Sequence, residues 1–231
     1  MAMIADKLAQ VRARIARACA GAGRDVQSVT LLCVGKTFPP AALREAFEAG
    51  ERCFGENYVQ EGIDKIAALA DLRQAIEWHL VGPLQSNKTR VVAEHFDWVH
   101  SIDRLKTAQR LNEQRPAHLA PLMVCLQVNI SAQASKSGVA AADLAGLAHA
   151  VAGLPRLRLR LRGLMAIPEP AADSERRRAP YRALRGLRDA LGESGLALDT
   201  LSMGMSNDLE AAIDEGATLV RIGSAIFGAR G

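Results

Sequence analysis

Lys36 stands directly after the apolar run VTLLCVG (29–35). Alternate residues of an extended segment share a face, so Thr30, Leu32, Val34 and Lys36 lie on one side and Leu31, Cys33 and Gly35 on the other. An amine emerging from an apolar wall is partly desolvated, which favours the neutral form that attacks carbonyls. The bland reading is a lysine snorkelling at a strand end, and the pattern alone leaves both open. A second group of residues could hold an anion. RIGSAIFG (221–228) puts Gly223 and Ser224 at a strand-to-helix junction, and GMSND (204–208) puts Ser206 in the preceding turn of that kind. Glycine lets backbone N–H groups approach a phosphate, and a helical turn that follows adds its positive end. Ser206, Asn207 or Asp208 could instead cap the next helix. Arg221 shares a face with Gly223. Buried there, it needs a partner: a ligand's ring nitrogen or carboxylate, or a structural carboxylate such as Glu56. FGENYVQE (54–61) sets Asn57 beside that carboxylate, and GPLQSNK (82–88) adds Gln85, Ser86 and Asn87, with Ser86 a candidate N-cap.

The elements that would position these residues alternate regularly. A helix is expected over 3–20, with Ile4, Leu8, Val11 and Ile15 on one stripe. Strand-like runs follow at 29–35, 52–55, 76–82, 97–102, 121–130, 161–167, 198–203 and 217–223, with helical stretches between them. Strict alternation implies right-handed crossovers and a parallel sheet. Eight such units predict a closed (β/α)8 barrel of the TIM type rather than an open sheet. No linker rich in Pro, Gly or Ser divides the chain, so residues 1–231 are expected to form one domain. The sequence stops soon after the eighth strand, and the N-terminal helix is expected to cover the face left open there. In such a barrel, active residues sit at the carboxyl ends of the strands, where Lys36, Asn57, Ser206, Gly223 and Ser224 all fall.

Hydrophobic residues make up 49% of the chain and aromatic residues only 4%, so Ala, Leu and Val must fill the core of a soluble fold. No apolar run approaches the roughly 20 residues of a membrane helix, and the N-terminus lacks the pattern of a secretory signal. A cytoplasmic protein with no membrane partner is expected. Cys19, Cys33, Cys53 and Cys125 form no C-x-x-C pair, and the five histidines show no metal spacing. Buried free thiols and no metal are therefore expected, with His79 a satisfied core histidine. The net charge of +4 is concentrated in Arg156–Arg188. A solvated face accounts for it, and no aromatic platform marks it as a nucleic-acid surface.

Longer runs then occur in a telling order: VGKTFP (34–39), FGENYVQE (54–61), WHLVGPLQSNK (78–88), SIDRLKTAQRLNEQRP (101–116), VNISAQASKSGV (128–139), LRGLMAIP (161–168), LSMGMSNDLEAAI (201–213) and VRIGSAIFGAR (220–230). With them the chain resembles, over nearly its whole length, the YggS/PROSC family of pyridoxal 5'-phosphate (PLP) homeostasis proteins. The resemblance implies a fold type III barrel like the N-terminal domain of alanine racemase, with PLP as cofactor on Lys36 as a Schiff base. It implies that Ser206, Gly223 and Ser224 hold the phosphate, that Arg221 faces the pyridine nitrogen, and that Asn57 lies near the ring. Gly35 departs from the family, which often has serine there.

Arginine keeps its proton and only donates, so a pyridine facing Arg221 stays unprotonated and is a weak electron sink. Racemases tolerate this but need a second acid–base group, which in alanine racemase is a tyrosine from a C-terminal β-domain of the partner subunit. No such domain is read in this sequence, and neither Tyr58 nor Tyr181 is placed for the role. The expectation is a non-catalytic PLP carrier or regulator, monomeric, with PLP-dependent apo-enzymes as recipients and no nucleic-acid partner. The rivals are a weak PLP-dependent amino-acid racemase, a Schiff-base aldolase acting on a phosphorylated sugar, and a nucleic-acid-binding module using Arg156–Arg188. Lys136, just past the fifth strand, is a further candidate for an aldehyde or phosphate contact, with a solvated loop lysine as the preferred reading.

Overall fold

Runs rich in Leu, Val and Ile suit strands covered on both faces, and here they build a barrel wall. The structure, a computed structural model, describes residues 3–131, 137–155 and 158–228. The strands are β1 (Thr30–Val34), β2 (Cys53–Glu56), β3 (Glu77–Leu80), β4 (Trp98–Ile102), β5 (Leu122–Gln127), β6 (Leu159–Met165), β7 (Thr200–Ser202) and β8 (Leu219–Ile222). They pair in parallel in chain order, and β8 returns to β1 to close the barrel. The helices are α1 (Ile4–Gly21), α2 (Pro40–Glu48), α3 (Val59–Ala68), α4 (Thr89–His95), α5 (Leu105–Gln114), α6 (Leu144–Ala152), α7 (Ser174–Glu193), α8 (Leu209–Asp214) and the single turn α9 (Ser224–Phe227). The expected closed (β/α)8 barrel with an extra N-terminal helix is the observed fold.

Strand parity sorts the core into two compartments. Leu32 and Val34 turn inward to meet Val81 and Leu219, whereas Cys33 turns outward into the larger cluster beneath the helices. α1 buries Leu8, Val11 and Ile15 and packs against α8, α9 and α2. It covers the wall beside β8 and β1, which α9 is too short to cover. Arg12 ties α1 to Glu51, and Arg14 ties it to Glu210 at 2.8 Å. Gly82 is dictated by close approach: a Cβ there would lie 2.0 Å from the Asn57 carbonyl oxygen.

The arginines of α7 are largely committed to carboxylates. Arg178 pairs with Asp214, Arg182 with Glu175 and Glu215, and Arg185 with Glu215. They fasten α7 to the end of α8 and leave a screened, paired face. Cys19, Cys33 and Cys125 are buried free thiols, but Cys53 is only half-buried, because the wall opens toward solvent at the start of β2. The expected caps do not form. Ser86 follows the cap position of its turn, and Asp208 occupies the cap position of α8 without a capping bond. Its carboxylate is used elsewhere, as described below. No helix among the described residues is long and apolar enough to cross a membrane.

Candidate functional site

Lys36 sits in a tight turn whose geometry is imposed from outside the strand. Phe38 N–H donates to the Gly35 carbonyl at 3.0 Å, so Lys36 and Thr37 are the two central residues. Thr37 has φ 69°, a left-handed conformation that costs a β-branched residue roughly 1–2 kcal/mol. A buried ion cluster holds it. Lys65 Nζ donates to the Gly35 carbonyl at 2.7 Å, to Glu56 Oε1 at 2.8 Å and to Glu61 Oε1 at 2.6 Å. Glu61 Oε1 in turn accepts the Thr37 N–H. The backbone on both sides of Lys36 is therefore anchored to one ammonium group. Gly35 belongs to the same packing, since a Cβ there would lie 2.8 Å from Leu43 Cδ1 and 3.0 Å from Glu56 Oε1.

This corrects the sequence expectation for Glu56. Its parity turns it outward under α3, where Lys65 takes it, so it is not the carboxylate partner of Arg221. Burial pushes the Glu56 carboxyl up to about 7, against the lowering pull of Lys65, while Glu61 adds to the rise and Lys36 opposes it. A carboxyl whose pKa rises on folding binds protons more tightly in the folded state. Stability is then greatest below its ordinary value of 4.5 and falls as pH rises toward about 7. Urea midpoints measured across that window should fall with pH, and Glu56→Gln should flatten the slope.

Beside β1 at the same mouth, the turns after β7 and β8 converge. Ser224 and Ser206 bring their hydroxyl oxygens to 3.3 Å. Gly223 approaches β1 so closely that a Cβ would stand 3.0 Å from the Val34 carbonyl oxygen. Arg14 donates to the Ser206 carbonyl at 3.0 Å, so α1 braces this loop. Asp208 accepts the Met205 N–H at 2.6 Å and the Tyr181 hydroxyl at 2.7 Å, folding the loop back on itself. Burial and the adjacent Asp208 raise the Tyr181 phenol far above its ordinary value, so it stays a protonated donor.

Arg221 turns into the lumen, as its parity with Gly223 predicts, and is 5% exposed. Nη1 donates to the Ser202 carbonyl at 2.6 Å and to Ser202 Oγ at 2.7 Å, and Nη2 donates to the Ala166 carbonyl at 2.9 Å. Burial lowers its pKa, and Tyr181 and Asp208 oppose that shift. The polar chain continues from Ser202 Oγ to His100 Nδ1 at 2.8 Å, and from His100 Nε2 to His79 Nδ1 at 2.9 Å. His79 is thus a satisfied buried histidine, as expected.

Lys36, Asn57, Ser206, Arg221, Gly223 and Ser224 all line one cavity of about 400 Å³ at the carboxyl mouth of the barrel. Sequence reasoning missed Arg177 and Phe38, which also line it, along with Ser202, His100 and Lys65, which support it. Ser202 could have been found from its place in the seventh strand. Nothing in the sequence pairs Lys65 with the Lys36 turn. Lys136 and Arg156 lie outside the described residues. A lysine amine, two converging hydroxyls, a close-approach glycine and a lumen guanidinium around one cavity fit a small anionic aldehyde.

Comparison with known proteins bears on the family and the fold. Residues 7–231 match the family described as alanine racemase, N-terminal domain. A protein of Pseudomonas aeruginosa named pyridoxal phosphate homeostasis protein is 63% identical over 230 residues, covering 100% of this chain and 97% of that one. PipY of Synechococcus elongatus PCC7942, solved with PLP bound, superposes with a TM-score of 0.84 at 38% identity, covering 97% of this chain and 100% of that one. Alanine racemase from Corynebacterium glutamicum shares the fold with a TM-score of 0.70 at 18% identity, and only 61% of its length is covered. A barrel built on the alanine racemase N-terminal plan and matched end to end by such relatives belongs to the pyridoxal phosphate homeostasis protein family.

Proposed function

We propose that this protein binds PLP at the carboxyl mouth of its barrel, with the aldehyde carbon on Lys36 as a Schiff base, and serves cytoplasmic PLP homeostasis as a carrier without substantial turnover. The observation that carries this reading is that a lysine amine and two serine hydroxyls, from β1 and from the adjoining turns after β7 and β8, line one small cavity. PLP supplies an electrophilic aldehyde and a dianionic phosphate. Ser206 and Ser224 offer hydroxyl donors to the phosphate, and Gly223 lets the backbone approach it. Arg221 presents a fixed donor and cannot accept a proton from a ring nitrogen. Asn57 closes the side of the cavity beside Lys36.

The absence of turnover rests on the acid–base groups. Tyr181 is locked by Asp208 and buried at 0% exposure, and Tyr58 is exposed at the start of α3. Neither stands ready to return a proton opposite Lys36, as a racemase requires. We also infer that the protein acts as a monomer, as one domain, and passes PLP to apo-enzymes. The test is exchange of amino-acid α-protons in deuterium oxide by the PLP-loaded protein. No exchange above that of free PLP supports the carrier, whereas stereospecific exchange at a catalytic rate would replace it with the racemase. In the same preparation, Ser206→Ala/Ser224→Ala should weaken PLP retention at least about 10-fold, the loss of one to two hydrogen bonds to a charged group.

A further inference from the structure

Three donor atoms converge at the amino-terminal mouth of the barrel, at the opposite end from the PLP cavity. Cys53 and Glu77 are register partners across β2 and β3, and His79 follows Glu77 on the same face. Glu77 Oε1 stands 3.8 Å from Cys53 Sγ and 3.0 Å from His79 Nε2. The three donors all lie within 4.8 Å of one another. A tetrahedral zinc ion with its usual bond lengths separates carboxylate and imidazole donors by about 3.3 Å, and carboxylate and thiolate donors by about 3.6 Å. The side chains are already close to that triangle with no change in the backbone.

His79 is also oriented as metal-binding histidines are. Its ring stacks on Trp98 at 5.4 Å and 11°, and its Nδ1 is held by His100 Nε2 at 2.9 Å. Nε2 is the nitrogen left to point at Glu77 and Cys53. Fixing one ring nitrogen sets the tautomer that offers the other to an ion. One wall of the cluster is dry, since the His79 side chain is 1% exposed, while the Glu77 side chain is 47% exposed and leaves a way in. Arg162, the cation whose field reaches Glu77, is committed to Asp199 at 2.7 Å. A thiolate and a carboxylate together balance a divalent charge.

We propose that Cys53, Glu77 and His79 form a binding site for a thiophilic divalent cation of the zinc class, with solvent as the fourth ligand. Mixed sulfur, nitrogen and oxygen donors select such ions over magnesium or calcium, which require oxygen shells. The sequence conceals the site, since Cys53 and Glu77 are 24 positions apart and are joined only by strand pairing.

The test is cobalt(II) titration of the purified full-length protein with a non-thiol reductant. One equivalent should produce the intense d–d bands of tetrahedral cobalt in the red and a thiolate-to-cobalt charge-transfer band, both displaced by zinc. The red bands lie clear of any PLP absorbance, so the outcome does not depend on the proposed PLP reading. Cys53→Ser should lose the charge-transfer band and bind cobalt at least about 10-fold more weakly, the effect of even an outer-shell change. Glu77→Gln should weaken binding likewise, whereas Cys19→Ser should bind as wild type does, with circular dichroism confirming the fold of each variant. Absence of the tetrahedral bands in wild type, or their survival unchanged in Cys53→Ser, would overturn the proposal.

Discussion

Lys36→Ala is expected to remove the visible absorbance band that the wild-type protein acquires on incubation with PLP and keeps after the excess is removed. Lys36 lines the cavity at the carboxyl mouth together with Ser206 and Ser224. It follows β1 beside Val34 and Val81 in the lining of that cavity. The substitution lies on a half-buried turn residue, so the fold should survive and circular dichroism should not change. The hydroxyls, Gly223 and Arg221 remain, so the variant should still take up PLP reversibly, without the band. The double variant Lys36→Ala/Lys136→Ala assigns any residual colour to the other lysine considered as an aldehyde contact. A wild-type protein that stays colourless after added PLP would remove the central reading and bring the sugar aldolase forward, because that enzyme needs the same amine and no cofactor.

Lys65→Met should produce the largest loss of stability. The ammonium group is 3% exposed and is shared by two carboxylates and the Gly35 carbonyl. Glu56 is fully buried and its Oε2 has no hydrogen-bond partner among the described residues, so Lys65 is its main compensation. Removing one partner of a buried ion pair costs about 3–5 kcal/mol, because the other charge stays behind unpaired. For a protein of this size that lowers Tm by about 6–20 °C. The double variant Lys65→Met/Glu56→Gln should recover part of the loss, since a neutral amide is cheaper to bury than an orphaned carboxylate. A second readout separates positioning from stability. With the Gly35 carbonyl and, through Glu61, the Thr37 N–H released, the strained Thr37 should relax and Lys36 should lose its fixed direction. PLP retention should then fall at temperatures where the variant is still folded. Retention equal to wild type under those conditions would leave the cluster a purely structural role.

The barrel was legible in the sequence because its signals are local. Eight apolar runs alternate with amphipathic ones, and side-chain parity follows from counting by twos. On that basis Leu32 and Val34 share a face opposite to that of Cys33, and Arg221 points into the lumen, as observed. The same counting places Lys36 and Gly223 at strand ends, where a barrel gathers its chemistry. Glu56 shows the limit of the method. Two strand residues of opposite parity cannot meet across the lumen, and only the strand bounds, with β2 ending at Glu56, show that it faces α3. The capping expectation for Asp208 failed because its carboxylate takes a backward turn contact, the Met205 N–H, and a partner brought by folding, the Tyr181 hydroxyl, in place of the first N–H groups of α8.

The sequence by itself therefore determined the alternation, the closed barrel, the rim that carries Lys36, Ser206 and Ser224, and the direction of Arg221. Each of these depends on residues a few positions apart and on backbone periodicities that tertiary context does not alter. Tertiary structure alone decided which charges meet. Lys65 reaches Gly35, 30 positions away, Ser202 joins His100 from 102 positions away, and Cys53 faces Glu77 across a strand pair. Hydrogen bonds and ion pairs are short-ranged and directional, so their partners are set by strand register and helix packing and leave no periodicity in the chain to be read beforehand.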